Sequence, residues 1–308
     1  MAESPGLPQL AGGSVVTVGT FDGVHRGHRD ILRRLRERAE CLGLPPLVVT
    51  FRPHPLEVVH PDDAPLLLTP DGEQFRALAD SGPLLVAVLP FTPALARLSA
   101  DEFVESVLVR RYHMRTLVAG YDHGLGRGRQ GDVTALTALG ERLRFEVEVV
   151  PPTLDGEGEP ISSSGVRLAC EQGRLDLVAL ALGRAYSFDG TVVRGDQRGR
   201  ELGYPTLNIA LPSPRKLLPP DGVYAVRIES SRGAFGGMMN LGGRPTFGAH
   251  ERTLEVHLFD VAGDWYGVNL SVSFVRRLRD TVRFSSVEAL VEQLARDAEQ
   301  ARVALTQA

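Results

Sequence analysis

Residues Gly19 to His28 read GTFDGVHRGH, a glycine-punctuated joint between an apolar run and an amphipathic stretch. The β-branched run Ser14 to Val18 predicts a strand. Gly27 to Leu42 predicts a helix, because Ile31, Leu32, Leu35, Ala39 and Leu42 recur at helical spacing. Arg33, Arg34, Arg36 and Arg38 fall mostly outside that set. His25 and His28 are three apart. If the helical turn begins at His25, they share one face at an N-terminus whose free N–H groups and dipole favour phosphate. Gly19, Gly23 and Gly27 let backbone approach a ligand closely. A plain strand-to-helix turn capped by Asp22, with two solvated histidines, would use the same residues.

Outward from this joint, strands and helices alternate. Pro46 to Phe51 is a short apolar run of the kind buried in parallel sheets. It leads into Arg52-Pro-His-Pro55, which leaves His54 at the carboxyl end of a strand, where open α/β sheets bind ligands. Leu84 to Leu89, Arg115 to Gly120 and Phe145 to Val150 predict three further strands. Ser99 to Tyr112 predicts a helix, with Ser99 and Glu102 spaced as a capping box. The alternation points to a doubly wound parallel sheet with right-handed crossovers.

Gly126, Gly128 and Gly131 form a GxGxxG between a strand and the helix expected over Asp132 to Leu143, the outline of a dinucleotide-binding loop. The long stretch from the strand to the first glycine, filled by Tyr121, Asp122, His123, Arg127 and Arg129, argues against an NAD-dependent oxidoreductase. Ile161 to Arg167, ISSSGVR, places three hydroxyls and an arginine at an expected helix start. That set can bind phosphate or merely cap the helix. The following helical stretch breaks near Gly173 and ends at Gly183.

After Gly183 the pattern changes to short strands between Gly and Pro turns, at Gly190–Arg194, Leu207–Leu211, Val223–Glu229, Leu254–Phe259 and Val268–Phe274. Even spacing of this kind predicts a small antiparallel β-barrel. One helix closes the chain, with Ser285 and Glu288 as a capping box and Val287, Leu290, Val291, Leu294 and Ala298 as an apolar stripe. The two hydrophobic patterns predict domains at 1–183 and 184–308, the second folding alone.

On these residues the joint resembles the HxGH signature of nucleotidylyltransferases, in the GxFDGxHxGH form of bacterial FAD synthetases. ISSSGVR is similar to the ISSTxIR motif of that family. AGYDHGLGRGRQGD resembles its GxDFxFGxxxxGD loop, departing at His123, Gly124 and Leu125. In the barrel, GTVVRGDQRGRELGYPTLNI (190–209) resembles the GxVxxGxxxGRxLGxPTxN signature of riboflavin kinases. NLGGRPTFG (240–248) resembles their NxGxxPTF loop, and TLEVHLFD with the following WYG (265–267) matches their catalytic segment. Where the family commonly carries LRxE, this chain has Leu278, Arg279, Asp280 and Thr281, so that glutamate's polar contact is missing or supplied by Asp280. The resemblance, in this motif order, is to the bifunctional bacterial riboflavin kinase/FAD synthetases.

That resemblance implies catalytic roles for His25, His28, Ser164 and Arg167 in adenylylation and for Glu255 as base in riboflavin phosphorylation. It implies ATP contacts at Gly19, Phe21, Asp22, Gly27, Gly195, Arg200 and Gly203, and flavin contacts at His54, Asp122, Asn240, Arg244 and Arg279. Thr206 and Asn208 offer hard oxygen ligands for Mg²⁺ carrying ATP. Alternation alone places Glu255 and His257 opposite the apolar Leu254, Val256 and Leu258.

Composition sets the remaining expectations. The chain has 308 residues, 43% of them hydrophobic, enough for a full core and two domains. A net charge of −4 gives no bulk drive toward nucleic acid or anionic membrane. Lys216 is the only lysine, a compositional bias. Cys41 and Cys170 are too few and too isolated for a disulfide framework or zinc site, which suggests a reducing compartment. No basic, apolar leader opens the chain and no apolar run reaches membrane-spanning length. The expectation is a cytoplasmic enzyme with riboflavin, FMN, FAD and ATP as small-molecule partners, no membrane or nucleic acid, and self-association left open. A flavin-binding module that has lost an activity is the alternative.

Overall fold

The computed structural model describes residues 10, 12–70, 72–195, 203–243 and 252–307. Two compact units emerge. The first comprises 1–67 and 74–163, and the second 68–73 and 164–308.

In the first unit, β1 (Ser14–Val18), β2 (Pro46–Arg52), β3 (Leu85–Pro90), β4 (Met114–Gly120) and β5 (Glu146–Val150) form one parallel sheet in the order β3-β2-β1-β4-β5. Period-two alternation sends successive residues to opposite faces. Val16, Val18, Leu47 and Val49 pack with Val104, Val107, Leu136 and Leu139. Val15, Val48 and Val118 pack with Leu32, Leu35 and Ala39 of α1 (Arg26–Leu42). With both faces covered, the central strands β1 and β2 read as nearly continuous buried runs, whereas the edge strand β5 alternates Glu146 and Glu148 with valines. The remaining helices here are α2 (Pro55–Val59), α3 (Gly72–Ala79, whose first residues belong to the second unit), α4 (Pro93–Ala96), α5 (Ala100–Phe103) and α6 (Val133–Leu143).

Ser99 and Glu102 do form a reciprocal capping box at α5. The single helix expected to Tyr112 instead widens into a π-helical segment over Val104–Arg111. In the GxGxxG stretch the first glycine has a packing role. Gly126 sits at φ 72°, and a Cβ there would meet the Ala100 nitrogen at 2.3 Å, so this glycine serves close packing on the start of α5. Leu125 and Gly131 pair with each other across the loop.

The second unit contains α7 (Ser163–Glu171, after its first residue), α8 (Leu175–Leu182) and a closed antiparallel barrel. Its strands β6 (Ser187–Val193), β7 (Leu207–Ala210), β8 (Gly222–Ser230), β9 (Gly233–Gly243), β10 (Arg252–Leu258) and β11 (Asn269–Arg279) close in the order β10-β7-β6-β11-β8-β9. Strand β9 was hidden from the sequence pattern, because its glycines carry no side chains to show a period of two. Phe274 gathers Phe188, Tyr186 and Tyr224 at centroid distances of 5.7, 6.2 and 5.1 Å.

The closing helix α9 (Val287–Gln307) packs Leu294, Ala298, Ala301 and Ala304 on Ala225, Met238 and Phe259. Two details correct the expected stripe. Ser286, not Ser285, caps the helix, its Oγ accepting from Ala289 N at 3.2 Å. Val287 is 58% exposed, whereas Asp297 is fully buried.

Candidate active sites

The strand order places β1 beside β4 where the chain reverses its direction of winding, and ligand crevices of open α/β sheets lie at the carboxyl ends of such strands. The joint after β1 occupies this position. Gly19 N donates to Val49 O at 3.0 Å, and the Thr20 carbonyl accepts from Thr50 Oγ1 at 3.4 Å and from Gln74 Nε2. Phe21 and Val24 are both buried and held at φ 49° and 40°, backbone strain of the kind functional loops keep.

His25, not Asp22, caps α1. His28 N donates to His25 Nδ1 at 3.4 Å, and the imidazoles stack at 3.7 Å between centroids, with Phe21 5.1 Å from His28. The expected helical face is therefore real, and it begins one turn later than an Asp22 cap requires. Asp22 is buried, and its carbonyl accepts from Ser163 Oγ at 2.8 Å. Sequence reading singled out Ser164 of the three serines, yet Ser163 touches the joint. Nothing local distinguishes them. Ser164 and Arg167 follow in α7, and Gly27 lies in the first turn of α1.

His54 follows β2 as expected. It caps α2, with Leu56 N donating to its Nδ1 at 3.3 Å and its own N–H donating to Glu57 Oε1 at 3.1 Å. Asp122 is exposed in the loop after β4, and its carbonyl accepts from Arg129 Nη2 at 2.7 Å.

Beside it, His123 is only partly buried as a residue, but its Nε2 is shut off from solvent and has no hydrogen-bond partner among the described residues. Burial, with Arg129 adding to it, pushes this imidazole down to about 4. Because the unfolded chain takes up the proton near 6.5, stability present above that pH is lost as pH falls toward 4. His123→Phe should remove this component, worth about 1–3 kcal/mol. Urea midpoints measured at pH 7.5 and pH 5 should then differ less in the variant than in the parent. An unchanged pH dependence would mean that the imidazole titrates normally.

In the barrel, the β10 register sets Glu255 opposite Asn208 of β7 on one side and opposite Asn240 of β9 on the other. Directly paired residues face the same way with Cβ atoms about 4.5–5.5 Å apart. One carboxylate and two amides thus line up across three strands. The alternation is as expected, with Leu254, Val256 and Leu258 buried and Glu255 and His257 partly exposed. His257 Nδ1 lies 2.9 Å from the Pro205 carbonyl, just before Thr206 and β7. Gly195 follows β6, where a Cβ would fall 2.1 Å from Asn208 Nδ2, so only glycine leaves that amide its place. Gly203 lies in the exposed turn before Tyr204, while Arg200 and Arg244 lie outside the described residues.

Arg279, two residues before the departure at Thr281, is paired with the closing helix. Its Nε and Nη2 donate to the Asp297 carboxylate at 2.9 and 2.6 Å, and Gln293 Nε2 donates to Asp297 Oδ1 at 2.8 Å. Asp280 pairs with Arg277 at 2.5 Å instead. Sequence reasoning missed Asp297, although an acid in line with an apolar helical stripe was a usable signal.

Such an arrangement defines a class: a two-domain, nucleotide-using transferase that joins a nucleotidylyltransferase-type sheet to a kinase-type barrel. Residues 7–165 match the family model of FAD synthetase, and residues 182–305 match that of riboflavin kinase. The chain belongs to the bifunctional riboflavin kinase/FMN adenylyltransferase family, and it is an enzyme of both activities. It is 39% identical over 286 residues to the bifunctional riboflavin kinase/FMN adenylyltransferase of Escherichia coli (strain K12), covering 92% of this chain and 90% of the relative. It is 40% identical over 291 residues to that of Pseudomonas fluorescens, covering 94% and 92%. A crystal structure described as a macrolide-efflux protein from Streptococcus pneumoniae superposes with a TM-score of 0.86 at 35% identity, covering 94% of each chain. Among the described residues, no helix is long and apolar enough to cross a membrane.

Proposed function

We propose that residues 184–308 phosphorylate riboflavin, with Glu255 as base, and that residues 1–183 adenylylate the FMN so formed. In the first reaction the ribityl hydroxyl oxygen bonds to the γ-phosphorus of ATP, ADP leaves, and Glu255 accepts the hydroxyl proton. The register that sets Glu255 beside Asn208 and Asn240 carries this reading. Gly195, Arg200 and Gly203 would bind ATP, and Asn240, Arg244 and Arg279 would bind the flavin, with Asp297 holding Arg279 in place. Thr206 and Asn208 would hold Mg²⁺. Two neutral oxygen donors suit an ion that arrives with its phosphates. When bound, the ion neutralises phosphate charge.

In the second reaction an FMN phosphate oxygen bonds to the α-phosphorus of ATP and pyrophosphate leaves. The nucleophile is already anionic, so positioning and charge stabilisation matter more than a base. His25, His28, Ser164 and Arg167 would supply them. Gly19, Phe21, Asp22 and Gly27 would shape the ATP site, and His54 and Asp122 would contact the flavin. We further place the enzyme in the cytoplasm with small-molecule partners only, which the acidic net charge and isolated cysteines support. Self-association is a matter for sedimentation.

The test is direct. Purified protein incubated with riboflavin, ATP and Mg²⁺ should yield FMN and then FAD by chromatography, and EDTA should stop both steps. Riboflavin left unchanged in the complete mixture would overturn the reading.

A further inference from the structure

The second unit takes in six residues, Leu68–Glu73, from between two elements of the first. At their centre is Lys216, the only lysine of the chain, with a side chain 1% exposed. Its ammonium donates to Glu73 Oε2 at 2.6 Å, to Leu68 O at 2.6 Å and to Ser187 O at 2.5 Å, and lies 4.4 Å over the Tyr186 ring. The other Glu73 oxygen accepts from Asp189 N at 3.0 Å, and Tyr186 OH donates to Leu217 O at 2.7 Å. Three acceptors converging on one point suit the three protons of an ammonium, and a planar guanidinium could not serve them. That geometry explains a lysine in a chain otherwise served by arginine.

We propose that Glu73, which lies within the stretch matching FAD synthetase, is a positioning residue of the riboflavin kinase. Through Lys216 and the Asp189 amide it fixes the start of β6. Strand β6 then carries that register to its other end, where Val193 pairs with Asn208 and the chain runs on to Gly195. Leu68 and Glu73, at the ends of this six-residue strap, thus contribute to the kinase unit from outside residues 184–308. The inference rests on the assignment of kinase activity to the barrel and not on the role of any single site residue.

The experiment uses the full-length chain. Apart from the α-amino group, Lys216 is the only amine, so its acetylation by acetic anhydride, read by mass spectrometry, reports opening of the strap. In Glu73→Gln, acetylation of Lys216 should rise about tenfold or more and the kcat for riboflavin phosphorylation should fall by a similar factor. Formation of FAD from supplied FMN should stay at the parental rate. The double variant Glu73→Gln/Lys216→Met, which removes both halves of the tie, should be no more active as a kinase than Glu73→Gln.

Parental acetylation and parental kinase kcat in Glu73→Gln would overturn the proposal. So would equal loss of both activities, or a double variant whose kinase kcat returns to the parental value, which would trace the defect to a stranded buried charge and not to lost positioning. If the parental chain makes no FMN, the kinase assignment fails, while the acetylation rates still report on the strap.

Discussion

Glu255→Gln will lower FMN formation from riboflavin by about a hundredfold to ten-thousandfold. A primary hydroxyl is a poor nucleophile at neutral pH, and a carboxylate within hydrogen-bond reach can accept its proton as the bond to phosphorus forms. Glutamine keeps the size of the side chain and much of its hydrogen bonding, so the pairing of Glu255 with Asn208 and Asn240 across the strands should persist. ATP affinity should change little if, as proposed, the nucleotide is held at Thr206, Asn208 and Gly195 and not by Glu255. Supplied FMN should still become FAD. Single-turnover measurements keep product release from masking the chemistry. A parental rate under those conditions would reduce Glu255 to a polar residue on a barrel face.

His28→Ala should have the complementary effect. Its imidazole stacks on His25 at the first turn of α1, a helix N-terminus whose dipole favours phosphate. Loss of one preorganised donor to the charge developing on a transferring adenylyl group costs roughly a hundredfold or more in rate. FAD formation from FMN should fall by that factor while riboflavin phosphorylation stays near the parental rate. The α1 cap would survive, since His25 supplies it and only the backbone N–H of His28 is used. Equal loss of both activities, with the circular dichroism unchanged, would sink a role for His28 in adenylylation alone.

The extents of β1, β2 and β4, the joint at His25 and the alternation along β10 were legible in the sequence. Each depends on residues a few positions apart, whose apolar period or spacing is a local property of the chain. The family motifs were legible for the same reason. Tertiary structure alone decided which strands lie side by side, and with that the meeting of Glu255 with Asn208 and Asn240. Register between distant strands is set by burial and packing across the whole barrel, which no local window contains. The choice of Ser163 to reach Asp22, of Asp297 to hold Arg279, and of Glu73 to face Lys216 belongs to the same category. A buried charge or hydroxyl takes whichever partner the fold brings within about 3 Å, and the sequence names only the candidates.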